Sequence, residues 1–216
     1  MRLAIYTSNG GNRMRKAIER GNNGFVDDIK LFFSEDAGTE YLKTFLDSKD
    51  IIYVLEHFED KYKNREEERE RFSNKFLDLL RMYDIDYVFC NGRHLLSGAI
   101  LKEYKYKIVN FHGALLPSWG GVRMLDKMLE NGEFLLGTTA MFIDEGVDTG
   151  PIIMEAVIPS EAFYSMGNGY DIVLDTQVNM MHIIHNLLQE KRIKVVDNKV
   201  VIQGADYQTF SIFPRV

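Results

Sequence analysis

Asn110 and His112 are two polar side chains whose types and spacing suit chemistry. Asn110 is part of the apolar run KIVNF, at 107–111, and His112 follows this run directly, two residues after Asn110. Because side chains alternate between the faces of a β-strand, both are expected on the same face. An amide can donate to a developing negative charge, and an imidazole can exchange a proton near neutral pH. The pair predicts acid–base chemistry with oxyanion stabilisation; the alternative is two ordinary polar residues at a loop edge.

A carboxylate could complete this set. Asp148 lies in the loop of FIDEGVDTGPII, between two apolar runs, where Gly146 and Gly150 allow a tight turn. From such a loop a carboxylate can reach a histidine on a neighbouring strand and orient its ring. Asp144 and Glu145 compete for this role, so the pairing of His112 with Asp148 is an expectation.

The elements that must position these residues follow from hydrophobic periodicity. Apolar runs predict strands, with segments of helical periodicity between most of them. The clearest helix is 64–83, and a second long helix is expected at about 169–190, followed by a hairpin at 193–204. Alternating strands and helices predict an α/β fold, a Rossmann-like mostly parallel sheet with helices on both faces. The predicted strands are 3–6, 29–33, 51–55, 86–90, 107–111, 137–144 and 150–159.

Composition excludes several classes of protein. The 216 residues suit one compact domain, and the net charge of −6 argues against a broad nucleic-acid surface. No apolar stretch reaches the 18 or so residues of a membrane span, and the apolar start of the chain is too short for a signal peptide. The single cysteine, Cys90, lies in an apolar strand and suits an inert core thiol in a reducing compartment. We therefore expect a cytoplasmic protein without nucleic-acid or membrane partners.

The motif N-x-H-x-x-LLP, followed some thirty residues later by GTT and VDTGPII, resembles the 10-formyltetrahydrofolate-dependent formyltransferases. The likeness covers most of the chain, including the loop SNGGN ahead of a helix and the segment NGRHLLS. In length and layout it is nearest to the compact members that formylate glycinamide ribonucleotide. The resemblance implies one catalytic domain over 1–216, with an acceptor- and phosphate-binding half at 1–105 and a catalytic and folate-binding half at 106–216.

The resemblance also implies roles for single residues. Asn110 would bond to the formyl oxygen, His112 would stabilise its charge and assist proton transfer, and Asp148 would hold the imidazole and a relaying water. The chemistry would use 10-formyltetrahydrofolate as co-substrate and no metal. The folate would contact Arg93, His94, Leu95, Leu96, Ile143, Asp144, Glu145 and Gly146. The acceptor would contact Gln177 and a phosphate cradle formed by Ser8, Asn9, Gly10, Gly11 and Asn12, since glycines before a helix let amides converge on an anion.

Departures from the family pattern leave the acceptor open. Gly113 and Ala114 replace a proline and a serine, and Met180 stands where an acidic anchor for the acceptor is expected. Two kinds of acceptor are therefore expected as alternatives. One is a small, phosphorylated amine of the glycinamide ribonucleotide kind in purine biosynthesis, and the other is a nucleotide-linked amino sugar. With water in place of the amine the protein would be a 10-formyltetrahydrofolate hydrolase, and without catalysis a folate- or nucleotide-binding module.

Aromatic residues raise two further expectations. Trp119 and Tyr170 could stack on the acceptor, with Trp119 acting as a lid or filling the core. The C-terminal stretch 207–216 could form an arm on the domain or on a second subunit, and therefore a homodimer.

Overall fold

The computed structural model describes residues 1–59, 65–121, 123–165 and 168–207. Within these residues the predicted strands are present with small shifts of their ends. They are β1 (Leu3–Thr7), β2 (Ile29–Ser34), β3 (Ile52–Leu55), β4 (Tyr87–Asn91), β5 (Ile108–His112), β6 (Leu135–Phe142), β7 (Ile152–Pro159), β8 (Ile193–Val196) and β9 (Lys199–Ile202).

The α-helices described are α1 (Asn12–Arg20), α2 (Asn23–Asp28), α3 (Lys43–Asp47), α4 (Arg65–Met82), α5 (Ala99–Glu103), α6 (Met124–Glu130), α7 (Ser160–Ser165) and α8 (Gly169–Gln189). Short 3₁₀ turns occupy Asn9–Gly11 and Ala37–Leu42. The two long helices expected from the periodicity are thus present as α4 and α8. None of the helices in the described ranges is long and apolar enough to cross a membrane.

The main sheet has the strand order β3-β2-β1-β4-β5-β6-β7. Strands β1 to β5 pair in parallel, whereas β6 and β7 pair antiparallel. This arrangement confirms the predicted mostly parallel, Rossmann-like class. Strand β1 pairs with β2 on one side and with β4 on the other. The chain therefore adds β2 and β3 on one side of β1 and then returns to add β4 and β5 on the other side. The carboxyl ends of strands at such a switch point are where ligands bind in these folds.

The chain divides into two compact units. Unit 1 comprises Met1–Asn110 and Phe142–Val147, and unit 2 comprises Phe111–Met141 and Asp148–Val216. The division passes through β5, directly after Asn110, so the two polar residues of this strand belong to different units.

Unit 1 is built around an aromatic core on one face of β1 and β2. Tyr6 and Phe33 pack against Phe72 and Phe76 of α4, and the rings of Phe33 and Phe76 are stacked with centroids 4.4 Å apart. All four side chains are fully buried. The apolar positions of α4 therefore face the core, and the charge-rich beginning of this helix needs no partner protein to explain it.

Cys90 lies in β4 and is 3% exposed. Burial raises the pKa of its thiol to about 12, because the thiolate would lose its hydration. The thiol is therefore kept protonated, as expected for a core residue.

Unit 2 has its own core between α6, α7, α8 and the β6–β7 pair. Ala114, Met128, Leu136, Phe163 and Val173 form its centre. Trp119 is partly buried against this cluster, which means that its ring packs on the core of the unit. The hairpin β8–β9 turns at Asp197 and Asn198, both at positive φ as a two-residue turn requires. Of the stretch 207–216, only Tyr207 is described; its hydroxyl accepts the Ile202 N–H at 3.1 Å, and the remainder lies outside the described residues.

Candidate active site

His112 and Asp148 meet in unit 2. The Nδ1 atom of His112 lies 3.6 Å from Oδ2 of Asp148, and the two side chains are only 10% and 13% exposed. The other ring nitrogen, Nε2, lies 2.7 Å from the carbonyl oxygen of Trp119. Both ring nitrogens thus face an acceptor oxygen. The arrangement suits a histidine that stabilises a negative charge and passes on a proton.

Asp148 is fixed from its other side. Its Oδ2 accepts the Gly121 N–H at 2.8 Å, which ties the loop after β5 to the loop between β6 and β7. The backbone of Asp148 is left-handed, with φ 54°, a conformation that aspartate tolerates better than most residues. Its competitor Asp144 instead accepts the N–H of Gly146 at 2.9 Å, within its own turn. Among the described ion pairs, the acid that faces His112 is Asp148.

The backbone of His112 is supported by buried polar groups that the sequence pattern did not indicate. The Thr138 hydroxyl donates to the His112 carbonyl oxygen at 2.6 Å, and the Gln177 amide donates to the same oxygen at 3.2 Å. Gln177 was expected to contact the acceptor, but it is fully buried and also donates to Thr138 Oγ1 at 2.6 Å. Met180, one turn further along α8, is 3% exposed. This face of α8 therefore packs on β5 and β6.

The loop after His112 is fastened by a second polar group. The Thr139 hydroxyl donates to the Ala114 carbonyl oxygen, and the Leu116 N–H lies 3.1 Å from both Thr139 Oγ1 and Glu155 Oε1. Thr139 and Glu155 are opposite each other in the β6–β7 pair. The signal available in the sequence was two adjacent threonines in an otherwise apolar strand, since buried polar groups need hydrogen-bond partners.

Asn110 belongs to unit 1, where its Cα pairs with that of Cys90 on β4. It is half-buried and lies two residues before His112 on the same strand. The alternation predicted for this strand is present: Val109 and Phe111 are buried, whereas Asn110 and His112 retain partial exposure.

Unit 1 contains a cavity of about 330 Å³ at the carboxyl ends of its strands. It is lined by Asn9, Glu35, Asp36, His57, Arg93 and His94, among others. These residues follow β1, β2, β3 and β4, so the cavity lies at the switch point where the topology places ligands. The cavity wall includes two residues of the predicted phosphate cradle, Ser8 and Asn9. It also includes two residues of the predicted folate segment, Arg93 and His94.

The segment Arg93–Leu96 is held by one buried carboxylate. Glu35 accepts the Arg93 N–H at 2.7 Å, lies 2.8 Å from His94 Nδ1, and accepts the Tyr6 hydroxyl at 2.6 Å. The His94 ring stacks on Phe58 with centroids 3.8 Å apart. Beyond it Leu95 is 43% exposed while Leu96 is buried. The sequence pattern missed Glu35 and Tyr6 because each acts through a contact distant along the chain.

Replacement of Glu35 by alanine is expected to destabilise the protein by about 2 to 4 kcal/mol, because three donors lose their acceptor in a buried place. Urea unfolding of the two proteins measures the difference. Glu40→Ala, at an exposed position on the neighbouring 3₁₀ turn, is the matched control and should stay within about 0.5 kcal/mol of the parent. Equal stability of the Glu35 and Glu40 variants would contradict the role assigned to Glu35.

Among the described residues there is no group of three or more His, Cys, Asp or Glu side chains placed to hold a metal ion. His182 and His185, three residues apart on α8, are half-buried and buried respectively.

Three comparisons with known proteins show the family of this chain. Residues 1–187 match the formyl transferase family. The chain is 29% identical over 167 residues to the chloroplastic phosphoribosylglycinamide formyltransferase of Arabidopsis thaliana, covering 73% of this chain and 54% of that protein. It is 25% identical over 162 residues to a formyltetrahydrofolate deformylase of Escherichia coli, covering 74% of this chain and 56% of that protein. The chain thus spans about half the length of these two relatives.

A solved structure is similar over nearly the whole chain. It is glycinamide ribonucleotide transformylase 1 from Symbiobacterium toebii, with a TM-score of 0.79 and 22% identity, covering 94% of this chain and 93% of that one. At this identity the likeness concerns the fold. The match to the family covers residues 1–187 and therefore includes the strands and loops that carry Asn110, His112 and Asp148. This chain belongs to the formyl transferase family.

Proposed function

We propose that this protein transfers a formyl group from 10-formyltetrahydrofolate to the primary amine of a small acceptor. The observation that carries the proposal is the largely buried pair of His112 and Asp148, with Asn110 two residues before His112 on the same strand. A module that only binds folate or a nucleotide has no need of an imidazole held between a carboxylate and a carbonyl oxygen. Membership of the family supplies the reaction class.

In the proposed reaction the nitrogen of the amine attacks the formyl carbon. The new N–C bond forms, the bond from the formyl carbon to N10 of the folate breaks, and one proton moves from the amine to N10. Negative charge builds on the formyl oxygen on the way. Asn110 is proposed to donate to this oxygen, and His112 to donate to it through Nε2 once the formyl oxygen replaces the Trp119 carbonyl oxygen as the partner of that nitrogen. Both donors lower the barrier because they stabilise the developing charge. Asp148 holds the imidazole and, through a water, receives the proton of the amine.

The proposed folate contacts are the segments Arg93–Leu96 and Ile143–Gly146 of unit 1. Leu95 offers an exposed apolar side chain, and the turn at Asp144 presents backbone groups that the Gly146 N–H bond holds in place. An apolar wall beside a few fixed polar backbone groups suits an aromatic heterocycle with an amide-like edge.

Hydrolysis is the second candidate function, because the relative in Escherichia coli named a deformylase shares this family. Water would take the place of the amine at the same three side chains and release formate. Nothing in the chemistry of Asn110, His112 and Asp148 forbids this, so the nature of the nucleophile depends on what occupies the acceptor side.

One experiment separates the two reactions. The purified protein is incubated with 10-formyltetrahydrofolate, and release of tetrahydrofolate is followed with no amine and with single amines in turn. Release that depends on one amine would support the transferase. Release at the same rate without any amine would support the hydrolase, and no release under either condition would contradict both.

Asp148→Asn is expected to lower kcat by about 10- to 100-fold. A hydrogen bond or ion pair to a charged group is typically worth about 1.5 to 3 kcal/mol, and the imidazolium would lose its carboxylate. Asparagine keeps the size of the side chain and an oxygen for the Gly121 N–H, so the loop should stay in place. Steady-state kinetics across pH measures the effect, and Asp47→Asn, at the exposed end of α3, is the matched control. Equal losses in the two variants would contradict the pairing of Asp148 with His112.

A further inference from the structure

The loop expected to bind a phosphate already binds a carboxylate of the protein itself. Asp36, directly after β2, accepts the Gly10 N–H through Oδ2 at 2.9 Å and the Gly38 N–H through Oδ1 at 2.8 Å. The pKa of Asp36 is lowered by the backbone N–H groups of Gly38 and Gly10, with smaller contributions that include the Asn9 N–H. The carboxylate is therefore ionised at neutral pH and takes amides that a phosphate would need.

Other polar groups of this loop are also hydrogen-bonded within the protein. The Gly11 N–H donates to the Ser8 carbonyl oxygen at 3.2 Å, and the Ser8 N–H donates to the Asn91 carbonyl oxygen at 3.2 Å. The Tyr41 hydroxyl bonds to the Gly10 carbonyl oxygen and to Asn12 Oδ1 at 3.1 and 2.7 Å. A Cβ at Gly11 would lie 2.9 Å from Leu42, so the loop also packs tightly against the following 3₁₀ turn. These contacts hold the loop in the conformation that suits Asp36.

A phosphate brought to this loop would meet a negative charge. Amides that bind an anion gain from a full charge opposite them, but here that charge is already present and belongs to Asp36. A second anion would have to displace the carboxylate or stand beside it, and like charges in contact repel. Asp36 is thus an internal substitute for a bound anion.

We infer that Asp36 makes this chain select an amine acceptor that carries no phosphate, with hydroxyl groups of the acceptor seated in the cavity beside it. This inference rests on the proposed function, because it concerns the acceptor of the same reaction. It replaces the phosphorylated acceptor expected from the loop sequence SNGGN.

The chemistry of the cavity fits a hydroxyl-bearing ligand. Its wall includes the carboxylates of Asp36 and Glu35, which accept hydrogen bonds, and the imidazole of His57, which can donate one. Hydroxyl groups both donate and accept, so they can satisfy such a mixed wall, whereas a phosphate only accepts at neutral pH. The volume of about 330 Å³ is enough for a sugar-sized group.

Binding of inorganic phosphate tests the role of Asp36 without any turnover. Isothermal titration with inorganic phosphate is carried out on the parent protein, Asp36→Asn and Asp36→Ser. We expect phosphate affinity to rise at least about tenfold in both variants, because the amides lose their internal anion. Glu40→Gln removes the same charge from an exposed neighbouring position and should leave the affinity of the parent unchanged. Two variants are used so that one poorly folded protein does not decide the result.

The acceptor itself is tested with a matched pair of amines. Glycinamide ribonucleotide and its dephosphorylated riboside carry the same amine and differ only in the phosphate. We expect the parent protein to use the riboside with a kcat/KM at least equal to that of the ribonucleotide, and Asp36→Asn to shift the ratio towards the ribonucleotide by about tenfold.

The outcomes are distinct. Tight phosphate binding by the parent, or a kcat/KM tenfold higher for the ribonucleotide, would overturn the inference while leaving the formyl transfer intact. Unchanged phosphate affinity in both Asp36 variants would remove Asp36 as the determinant. Absence of turnover with every amine would contradict the proposed function, whereas the phosphate titration would still report on Asp36.

Discussion

Replacement of His112 by alanine is expected to lower kcat/KM for formyl transfer by about 10³- to 10⁴-fold. Two proposed roles are lost together: the donor to the formyl oxygen, typically worth about 10²- to 10³-fold, and the proton transfer proposed for Asp148 and the imidazole. The ring is 90% buried and lies between the Asp148 carboxylate and the Trp119 carbonyl oxygen, so no other described side chain takes its place in those two contacts. Single-turnover release of tetrahydrofolate measures the chemical step directly.

The control for this prediction is His182→Ala on α8, which removes an imidazole from a half-buried position outside the proposed site. Thermal unfolding should show both variants to be folded. Turnover of His112→Ala within tenfold of the parent would show that the histidine does not act in the chemical step. The loss should also appear in kcat, because the charge on the formyl oxygen exists only in the transition state.

Asn110→Ala is expected to lower kcat by about 10²- to 10³-fold, the usual cost of removing one oxyanion donor. Asn110 is half-buried on β5, two residues before His112, and its proposed role is to donate to the formyl oxygen. Truncation to alanine leaves the backbone pairing with Cys90 untouched. The measurement is kcat and KM for the acceptor under saturating 10-formyltetrahydrofolate.

Asn110→Asp sharpens this test, because a carboxylate of the same size would repel the developing charge. It should lose at least as much activity as the alanine variant. Asn131→Ala, at the exposed end of α6, is the matched control and should keep full activity. A higher KM with unchanged kcat in Asn110→Ala would mean that Asn110 binds the ground state and does not stabilise the transition state.

Much of the fold could be predicted from local sequence patterns. The apolar face of α4 and the apolar runs of β1 to β5 are formed by residues that are near one another along the chain. The periodicity of these residues predicts which side chains are buried. Strand ends differed from expectation by one to a few residues. Such shifts arise because the first and last bonds of a strand depend on its neighbour, as with β3, which begins at Ile52.

The candidate site could be predicted only in part. Asn110 and His112 stand out because their spacing alone puts both on one face of a strand. The side chains that hold the His112 backbone did not stand out in this role. Thr138 and Gln177 both donate to the His112 carbonyl oxygen, from positions 26 and 65 residues away. No periodicity in the sequence encodes such a meeting, since the partners lie on different elements.

Local sequence patterns predicted the class of fold and the strand that carries an amide and an imidazole on one face, whereas formyl transfer was implied by the family resemblance. Local pattern is sufficient there because neighbouring residues set strand alternation and helical burial. The folded chain was needed to find the acceptor of the Gly10 N–H, because Asp36 is 26 residues from Gly10. Asp148 was predicted to face His112 with Asp144 and Glu145 as competitors, and the structure pairs His112 with Asp148. Packing of the strands brings these carboxylates to their partners, and that packing is a property of the whole chain.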